Sequence, residues 1–176
     1  MSRMASKQVK YAAAGIGAVV IAIVVVLAVV LSSSSPHIAF PTTAQVDSAT
    51  GYNNYTASSL VSENINSSAP YGAVKAVGEY FNNSAGSIAY IVIQFKSSAL
   101  AGREFSNITN FSAKSSLSYR GASVRVVSLG VSALAIGHLG AYIFGVIFRS
   151  SSAFGNIQST GKMTTLAELE VNSMLG

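Results

Sequence analysis

The clearest chemical signal in this sequence is a set of five acceptor sites for N-linked sugars. An asparagine followed two positions later by serine or threonine is the acceptor triplet for N-glycosylation, which occurs on exposed segments of exported proteins. The triplet occurs at Asn54, Asn66, Asn82, Asn107 and Asn110. A chain rich in Asn, Ser and Thr forms some triplets by chance, so chance is the alternative for part of the set. We predict N-glycans on an exported domain.

A second pattern is a row of small residues inside an apolar N-terminal stretch. Ala14, Ala18 and Ala22 repeat at four-residue spacing, beside Gly15 and Gly17. Small side chains on one side of a helix let a second helix approach closely, which is how helices associate in lipid. The row predicts packing against a protein partner or a second copy of the chain. A helix that faces only lipid is the alternative.

Catalytic and metal-ligating patterns are absent from the sequence. The chain has no cysteine, two histidines (His37 and His138), one aspartate and five glutamates. None of these residues forms a zinc-binding histidine pattern, a serine nucleophile elbow or a phosphate-binding glycine loop. We therefore predict that the protein is not an enzyme and holds no metal or cofactor. If it binds a ligand, His138 and the glycine-rich loop around it are the first place to look, because loops often carry function.

Charged residues are few and scattered. The net charge is +5, but three of the positive charges precede the apolar stretch, and residues 32–176 carry eight Lys and Arg against six Asp and Glu. No basic patch is present, so we predict no nucleic-acid partner. Glu79, Arg103, Glu104 and Arg125 could line a cleft, and a solvated surface is the alternative reading.

The low charge also suggests an environment. Charged residues make up 10% of the chain, against about 25% in ordinary soluble proteins. A surface with few carboxylates has little to lose when they become protonated, because acid denaturation acts mostly through paired carboxylates. We therefore propose, as a hypothesis, an acidic exterior. A surface covered by glycans, which needs no charge for solubility, is the alternative.

The apolar N-terminal stretch predicts where the rest of the chain lies. Residues 12–31 are twenty consecutive residues without a charge, amide or hydroxyl. As a helix they would be about 30 Å long, which matches the hydrocarbon thickness of a bilayer. A helix also satisfies every backbone hydrogen bond internally, as the membrane interior requires. We predict a transmembrane helix surrounded by membrane lipid.

The flanking charges predict the orientation. Arg3, Lys7 and Lys10 precede the span, and the next basic residue is Lys75. The positive-inside rule therefore places the N-terminus in the cytoplasm and the rest of the chain outside the plasma membrane. The apolar run exceeds the 7–15 residues of a secretory signal, so we predict an uncleaved signal-anchor. A cleaved signal is the alternative.

The predicted organisation is a basic cytoplasmic leader (1–11), the span (12–31), a Ser/Pro spacer (32–41) and one extracytoplasmic domain (42–176). An exported domain without cysteine cannot use disulfides. Together with the many glycan acceptors, that absence favours a prokaryotic, archaeal-type envelope.

Within the outer domain, hydrophobic spacing predicts an α+β fold with a mainly antiparallel sheet and helices packed on it. The predicted helices are a turn near Thr43–Ala49, a helix beginning at Pro70 and continuing through Phe81, a helix from Ser97 or Ser98 to about Phe111, and a last helix opened by a Thr165-x-x-Glu168 capping box. The predicted strands are 88–95, 124–129 and 139–148, with a bulge at Gly145 and a loop at 130–140.

These observations predict a membrane-anchored, N-glycosylated cell-envelope protein. Its outer domain would bind or scaffold other envelope or membrane components without catalysis. A single-span accessory subunit of a membrane enzyme complex is one alternative.

Another alternative is a filament subunit. The short basic leader followed by a long apolar helix resembles the N-terminal plan of type IV pilins, and the resemblance implies a filament in which such helices bundle into a core. It covers only the first thirty or so residues. Lys10-Tyr11-Ala12 departs from the usual basic-then-Gly/Ala processing site, and no acidic residue follows near the start of the apolar run.

Overall fold

Seven antiparallel strands and three helices make up the part of the chain that the structure, a computed structural model, describes: residues 35–64, 72–110, 115–129, 132–150 and 160–176. In chain order the elements are α1 Thr43–Thr50, β1 Thr56–Asn64, β2 Ala73–Asn83, β3 Gly86–Phe95, α2 Ser98–Ile108, β4 Ser115–Tyr119, β5 Ala122–Leu129, β6 Ser132–Leu139, β7 Tyr142–Ser150 and α3 Thr160–Leu175. The strands form one sheet in the order β1-β2-β3-β7-β6-β5-β4. The predicted α+β class and antiparallel sheet are confirmed.

Helices α1 and α3 cover one side of the sheet, which we call the closed face. Successive residues of a strand point to opposite sides, so alternate residues of β2 to β7 reach this core. Its apolar cluster joins the strands to Val46 of α1 and to the inner side of α3. The largest fully buried apolar side chains are Tyr90, Phe81, Phe144, Phe148 and Ile88 from the sheet and Met163, Leu166 and Met174 from α3.

Helix α2 covers part of the other side, which we call the open face. It begins where the side chain of Ser97 accepts a hydrogen bond from the Leu100 N–H at 3.3 Å, as the sequence predicts for an N-cap. Ala101 and Phe105 of α2 pack on a small cluster that includes Ile136 and Ile143 of the sheet. The rest of this side of the sheet lies beyond the helix.

The segment before α1 lies against the closed face. Ile38 and Phe40 pack on its core, and the His37 N–H donates to the Met174 carbonyl at 3.0 Å. These residues belong to the predicted spacer (32–41), and the structure includes them in the compact unit Pro36–Gly176.

The helix predicted from Pro70 to Phe81 is wrong, because its described part from Ala73 onwards is strand β2. Its apolar residues are mainly β-branched or aromatic, which suits a strand. A turn at Ser84 and Ala85 follows, where the Asn83 side-chain oxygen accepts from the backbone N–H groups of Ala85 (2.9 Å) and Gly86 (3.1 Å). This turn lets β2 pair with β3 along nearly its whole length, and that long-range pairing decides the structure.

The loop predicted over 130–140 is also wrong, because β6 occupies Ser132–Leu139. Its small residues fit a strand because large groups pack over them: a Cβ atom on Gly137 would overlap the Phe144 ring of the neighbouring strand. Gly145 is not a bulge. It pairs in regular register with Ile91 on one side and Ile136 on the other.

The final helix exists but begins earlier than predicted. It starts at Thr160, so Thr165 lies inside the helix and its hydroxyl donates to the Gly161 carbonyl at 3.1 Å. The predicted capping box at Thr165 is therefore wrong. Apolar spacing predicts that Leu166, Ala167, Leu169, Val171 and Met174 mostly face the core. Leu169 is partly buried, and the other four are buried.

Some predictions fall outside the described residues. These are the span at 12–31 with its small residues Ala14, Ala18 and Ala22, and the glycan acceptor Asn66. Among α1, α2 and α3, the helices of the described part, none combines the length and apolarity needed to cross a bilayer.

Candidate functional site

A groove of about 420 Å³ opens on the open face between α2 and the hairpin β4–β5. Phe105 of α2 forms one wall. Cross-strand pairing places Ser116 opposite Arg125 and Ser118 opposite Ser123, so these four side chains lie on the same face of the hairpin and line the groove. The groove therefore combines an aromatic ring, three hydroxyls and one guanidinium group.

Arg125 is held in a defined position. One guanidinium nitrogen, Nη1, donates to the Thr109 carbonyl at the end of α2 at 2.9 Å, and the group lies 6.0 Å from the centre of the Phe105 ring. The ring face is electron-rich and attracts a cation at this range. The hydrogen bond to Thr109 uses one of the five guanidinium N–H donors. A donor-rich cation fixed beside hydroxyls suits a ligand that carries carboxylate, phosphate or sugar oxygens.

His138 lies at the edge of this groove, on β6 and not in the predicted loop. It pairs across the sheet with Ser123, and its ring stacks on Phe105 with centroids 5.8 Å apart and planes at 27°. Its Nε2 atom is buried without a hydrogen-bond partner in the described parts of the chain, on the side facing Gly102 of α2. His138 thus supports the wall formed by Phe105.

The four charged residues named from the sequence do not form one cleft. Arg103, Glu104 and Arg125 lie at or beneath α2, whereas Glu79 pairs with Tyr90 and faces the opposite side of the sheet. The buried Glu104 carboxylate contacts the Arg103 Nε atom at 3.2 Å. Because Arg103 offsets the negative charge of Glu104, Arg125 is the charged group that the groove presents.

A second polar cluster is buried in the closed face. Both Glu170 carboxylate oxygens and the Tyr90 hydroxyl are buried and have no hydrogen-bond partner among the residues that the structure describes. Burial raises the pKa of Glu170 well above its usual value of 4.5, and the negative charge of Glu79 adds to the increase. The pKa of Tyr90 is raised by burial and then by Glu170. Burial therefore favours the neutral form of both groups, which lie inside the core and away from the groove.

The described glycan acceptors Asn54, Asn82, Asn107 and Asn110 are all exposed. Exposure is what glycosylation requires, and their modification stays a prediction. In the described ranges no three His, Asp or Glu side chains come close enough together to hold a metal ion.

Sequence reasoning named Arg125 but missed the serine lining that accompanies it. The signal that could have found it is the Arg120-Gly121 pair, because both residues have positive φ (46° and 85°) in a tight turn. A hairpin folded about that turn places Ser118 opposite Ser123, and the alternation of strand residues then brings in Arg125.

No protein-family model matches the chain, and no curated protein matches it. The structure is similar to the crystal structure of the extracellular domain of PknH from Mycobacterium tuberculosis, with a TM-score of 0.53 and 10% sequence identity. The similarity covers 81% of this chain and 98% of that domain. At this identity the comparison shows a shared fold.

Proposed function

We propose that this protein is a single-pass cell-envelope protein whose outer domain binds another envelope component in the groove between α2 and the hairpin β4–β5. The predicted span at 12–31 is its anchor, the N-terminus lies in the cytoplasm, and the domain lies outside the plasma membrane. It acts as a binding or scaffolding module and not as an enzyme. N-glycans on the outer domain belong to the same proposal.

The groove is the observation that carries the binding proposal. It is concave, and several polar groups converge beside one aromatic wall, so the groove can fix the orientation of a polar ligand. Arg125 supplies the positive charge, and Ser116, Ser118 and Ser123 supply hydroxyls. The component that fits is polar and carries carboxylate, phosphate or sugar oxygens, which accept hydrogen bonds from these groups.

The location is supported by two independent observations. The basic residues cluster on one side of the apolar stretch, and the fold is shared with a domain that is described as extracellular. Protease treatment of intact cells tests it. We expect the domain to be digested from outside, and protection of the domain until the membrane is opened would contradict the proposal.

Binding through the groove is tested by mild chemical crosslinking in membranes, detergent extraction and native electrophoresis. We expect the wild-type chain to migrate with a partner and Arg125→Ala to lose most of that complex. Arg149→Ala is the matched control, because Arg149 is an exposed arginine on the same side of the sheet, outside the groove lining. Equal loss in both variants would show that the groove is not the binding site.

The same extraction separates the remaining alternatives. A pilin-like subunit would lose its leader, which the intact mass of the native protein measures. An accessory subunit would co-migrate with a membrane enzyme and its activity.

A further inference from the structure

The part of the open face beyond α2 is an apolar surface five strands wide. The register places Tyr80, Ala89, Ile147, Leu134 and Val127 side by side on β2, β3, β7, β6 and β5. We call this row the apolar shelf. Ile147 is 40% exposed and the others are half-buried. At about 4.8 Å between neighbouring strands, the shelf extends about 19 Å from β2 to β5.

The shelf has a notch at its β2 end. Ala89 lies between the larger side chains of Tyr80 and Ile147. On the neighbouring row, the space above Gly145 is open, since a Cβ atom placed there would have no neighbour within 4 Å. The notch can therefore seat a flat ring against the side of Tyr80.

Asn82, a predicted glycan acceptor, lies directly beside this notch. It follows Tyr80 by two residues in β2, so both side chains point to the open face. Its side chain is exposed, and the third residue of its triplet, Ser84, is exposed in the adjoining turn. A sugar attached to Asn82 would thus begin next to the Tyr80 ring.

Two of the other described acceptors, Asn107 and Asn54, are less well presented in the folded domain. Asn107 lies within α2, and the hydroxyl of Thr109 in its triplet is buried and donates to the Phe105 carbonyl at 2.6 Å. Asn54 has a φ of 67°, and its backbone N–H donates to an Asp47 carboxylate oxygen at 3.3 Å. Asn82 combines an exposed asparagine, an exposed hydroxyl residue and an apolar surface within reach.

We propose that Asn82 carries an N-glycan whose first sugar packs on Tyr80 and whose following sugars cover the apolar shelf. A sugar ring has an apolar C–H side that suits an aromatic face, and Tyr80 is already ordered by strand pairing on both sides. Covering the shelf removes apolar surface from water. A shelf of this kind would otherwise favour association with other proteins. The inference rests on the proposed location outside the membrane, where sugars are attached.

The first experiment measures occupancy and stability. The full chain is produced in a eukaryotic host that attaches N-glycans to exported proteins, and glycopeptide mass spectrometry measures the occupancy of each acceptor. We expect Asn82 to be occupied. Thermal unfolding in detergent is then compared for the intact glycan, for a glycan trimmed to one N-acetylglucosamine, and after complete removal.

We expect complete removal to lower the unfolding midpoint by about 3 °C, the size of a modest contact in a domain of this length. Protein trimmed to one sugar should retain most of the higher unfolding midpoint of the intact glycoprotein, because the first sugar contacts Tyr80. Trimming nevertheless increases the binding of an apolar dye, because the shelf is uncovered.

Variants assign the effect to Tyr80. Tyr80→Thr keeps a strand-forming residue and should lose the midpoint difference between glycosylated and deglycosylated protein, whereas Tyr80→Phe should retain it. Asn54→Asp is the matched control: it removes another acceptor, tolerates the positive φ of that position, and should leave the difference unchanged.

Three results would overturn the inference. The first is an unoccupied Asn82 in protein whose other acceptors are occupied, which leaves the proposed location intact. The second is an occupied Asn82 whose glycan can be removed without any change in the midpoint or in dye binding. The third is an equal midpoint difference in Tyr80→Thr and the wild type. If no acceptor is occupied and the domain is also protected from external protease, the proposed location fails as well.

Discussion

The two faces of the sheet are built from the same strands and yet differ in how completely they are covered. On the closed face, α1, α3 and the segment before α1 bury a continuous core, in which Phe81, Tyr90 and Phe144 are fully buried. On the open face, α2 buries a small cluster and leaves the groove and the apolar shelf at the surface.

This difference separates stability from binding. A fully packed core has little spare volume, so any change of size there is felt as strain or as a cavity. Outside the cluster that α2 buries, the open face combines polar lining with half-buried apolar residues, and a change there costs little folding energy. Open-face residues outside the α2 cluster are therefore available for recognition, whereas those on the closed face determine the fold.

The largest expected contrast comes from truncating one residue of β7 on each face. Phe144→Ala should lower the free energy of unfolding by about 4 kcal/mol, because it removes a fully buried ring and leaves a cavity. Ile147→Ala should cost at most about 1 kcal/mol, because Ile147 is 40% exposed. Urea unfolding of both variants measures the contrast. Similar losses would show that the open face is packed as tightly as the closed face.

A second contrast adds a methyl group on each face. Gly137→Ala should lower the free energy of unfolding by about 2–3 kcal/mol, because its Cβ would overlap the Phe144 ring and the core must move. Gly145→Ala should be neutral or stabilising, since its Cβ meets open space and alanine suits a strand better than glycine. In the double variant Gly137→Ala with Phe144→Leu, part of the loss should be recovered. A neutral Gly137→Ala would contradict the packing described here.

The third contrast depends on pH. Burial raises the folded pKa of Glu170 above its unfolded value near 4.5, so between these two values the folded chain keeps a proton that the unfolded chain has lost. The stability that this proton contributes is fully present below the unfolded pKa and is lost as pH rises through the folded pKa. The free energy of unfolding should therefore increase as pH falls from neutral towards 4.5, by at most about 1.4 kcal/mol per pH unit.

Urea unfolding at several pH values measures this slope. Glu170→Gln and Glu170→Leu should both flatten it, since neither variant can gain or lose a proton at this position. A wild-type domain that loses stability steadily between neutral pH and pH 3 would contradict both this prediction and the hypothesis of an acidic exterior.

Sequence patterns predicted the structure correctly where interactions within a short segment determine it. Ser97 identifies the start of α2 by an interaction with a residue three positions away. The segment 88–95, which is apolar on both alternations, correctly predicts strand β3, which lies inside the sheet between β2 and β7. The inner side of α3 also follows from local spacing.

Sequence reasoning failed where long-range pairing decides. The apolar residues of β2 also fit a helical period, and only pairing with β1 and β3 identifies the strand. Small residues made β6 resemble a loop, because the Phe144 ring that fills the space over Gly137 comes from a neighbouring strand. The groove depends on the pairing of β4 with β5. Arg125 could therefore be named from the sequence, but the serines that lie beside it could not be predicted.

The hydrogen bond from His37 to the Met174 carbonyl has a mechanical consequence. It ties the segment that enters the domain to the last turn of α3, the helix that completes the closed face. Tension applied to the chain from its N-terminal side would therefore load α3 before any strand is pulled from the sheet. Under such tension the closed face should yield by peeling of its covering layer, while the hydrogen-bonded ladder of the sheet stays intact.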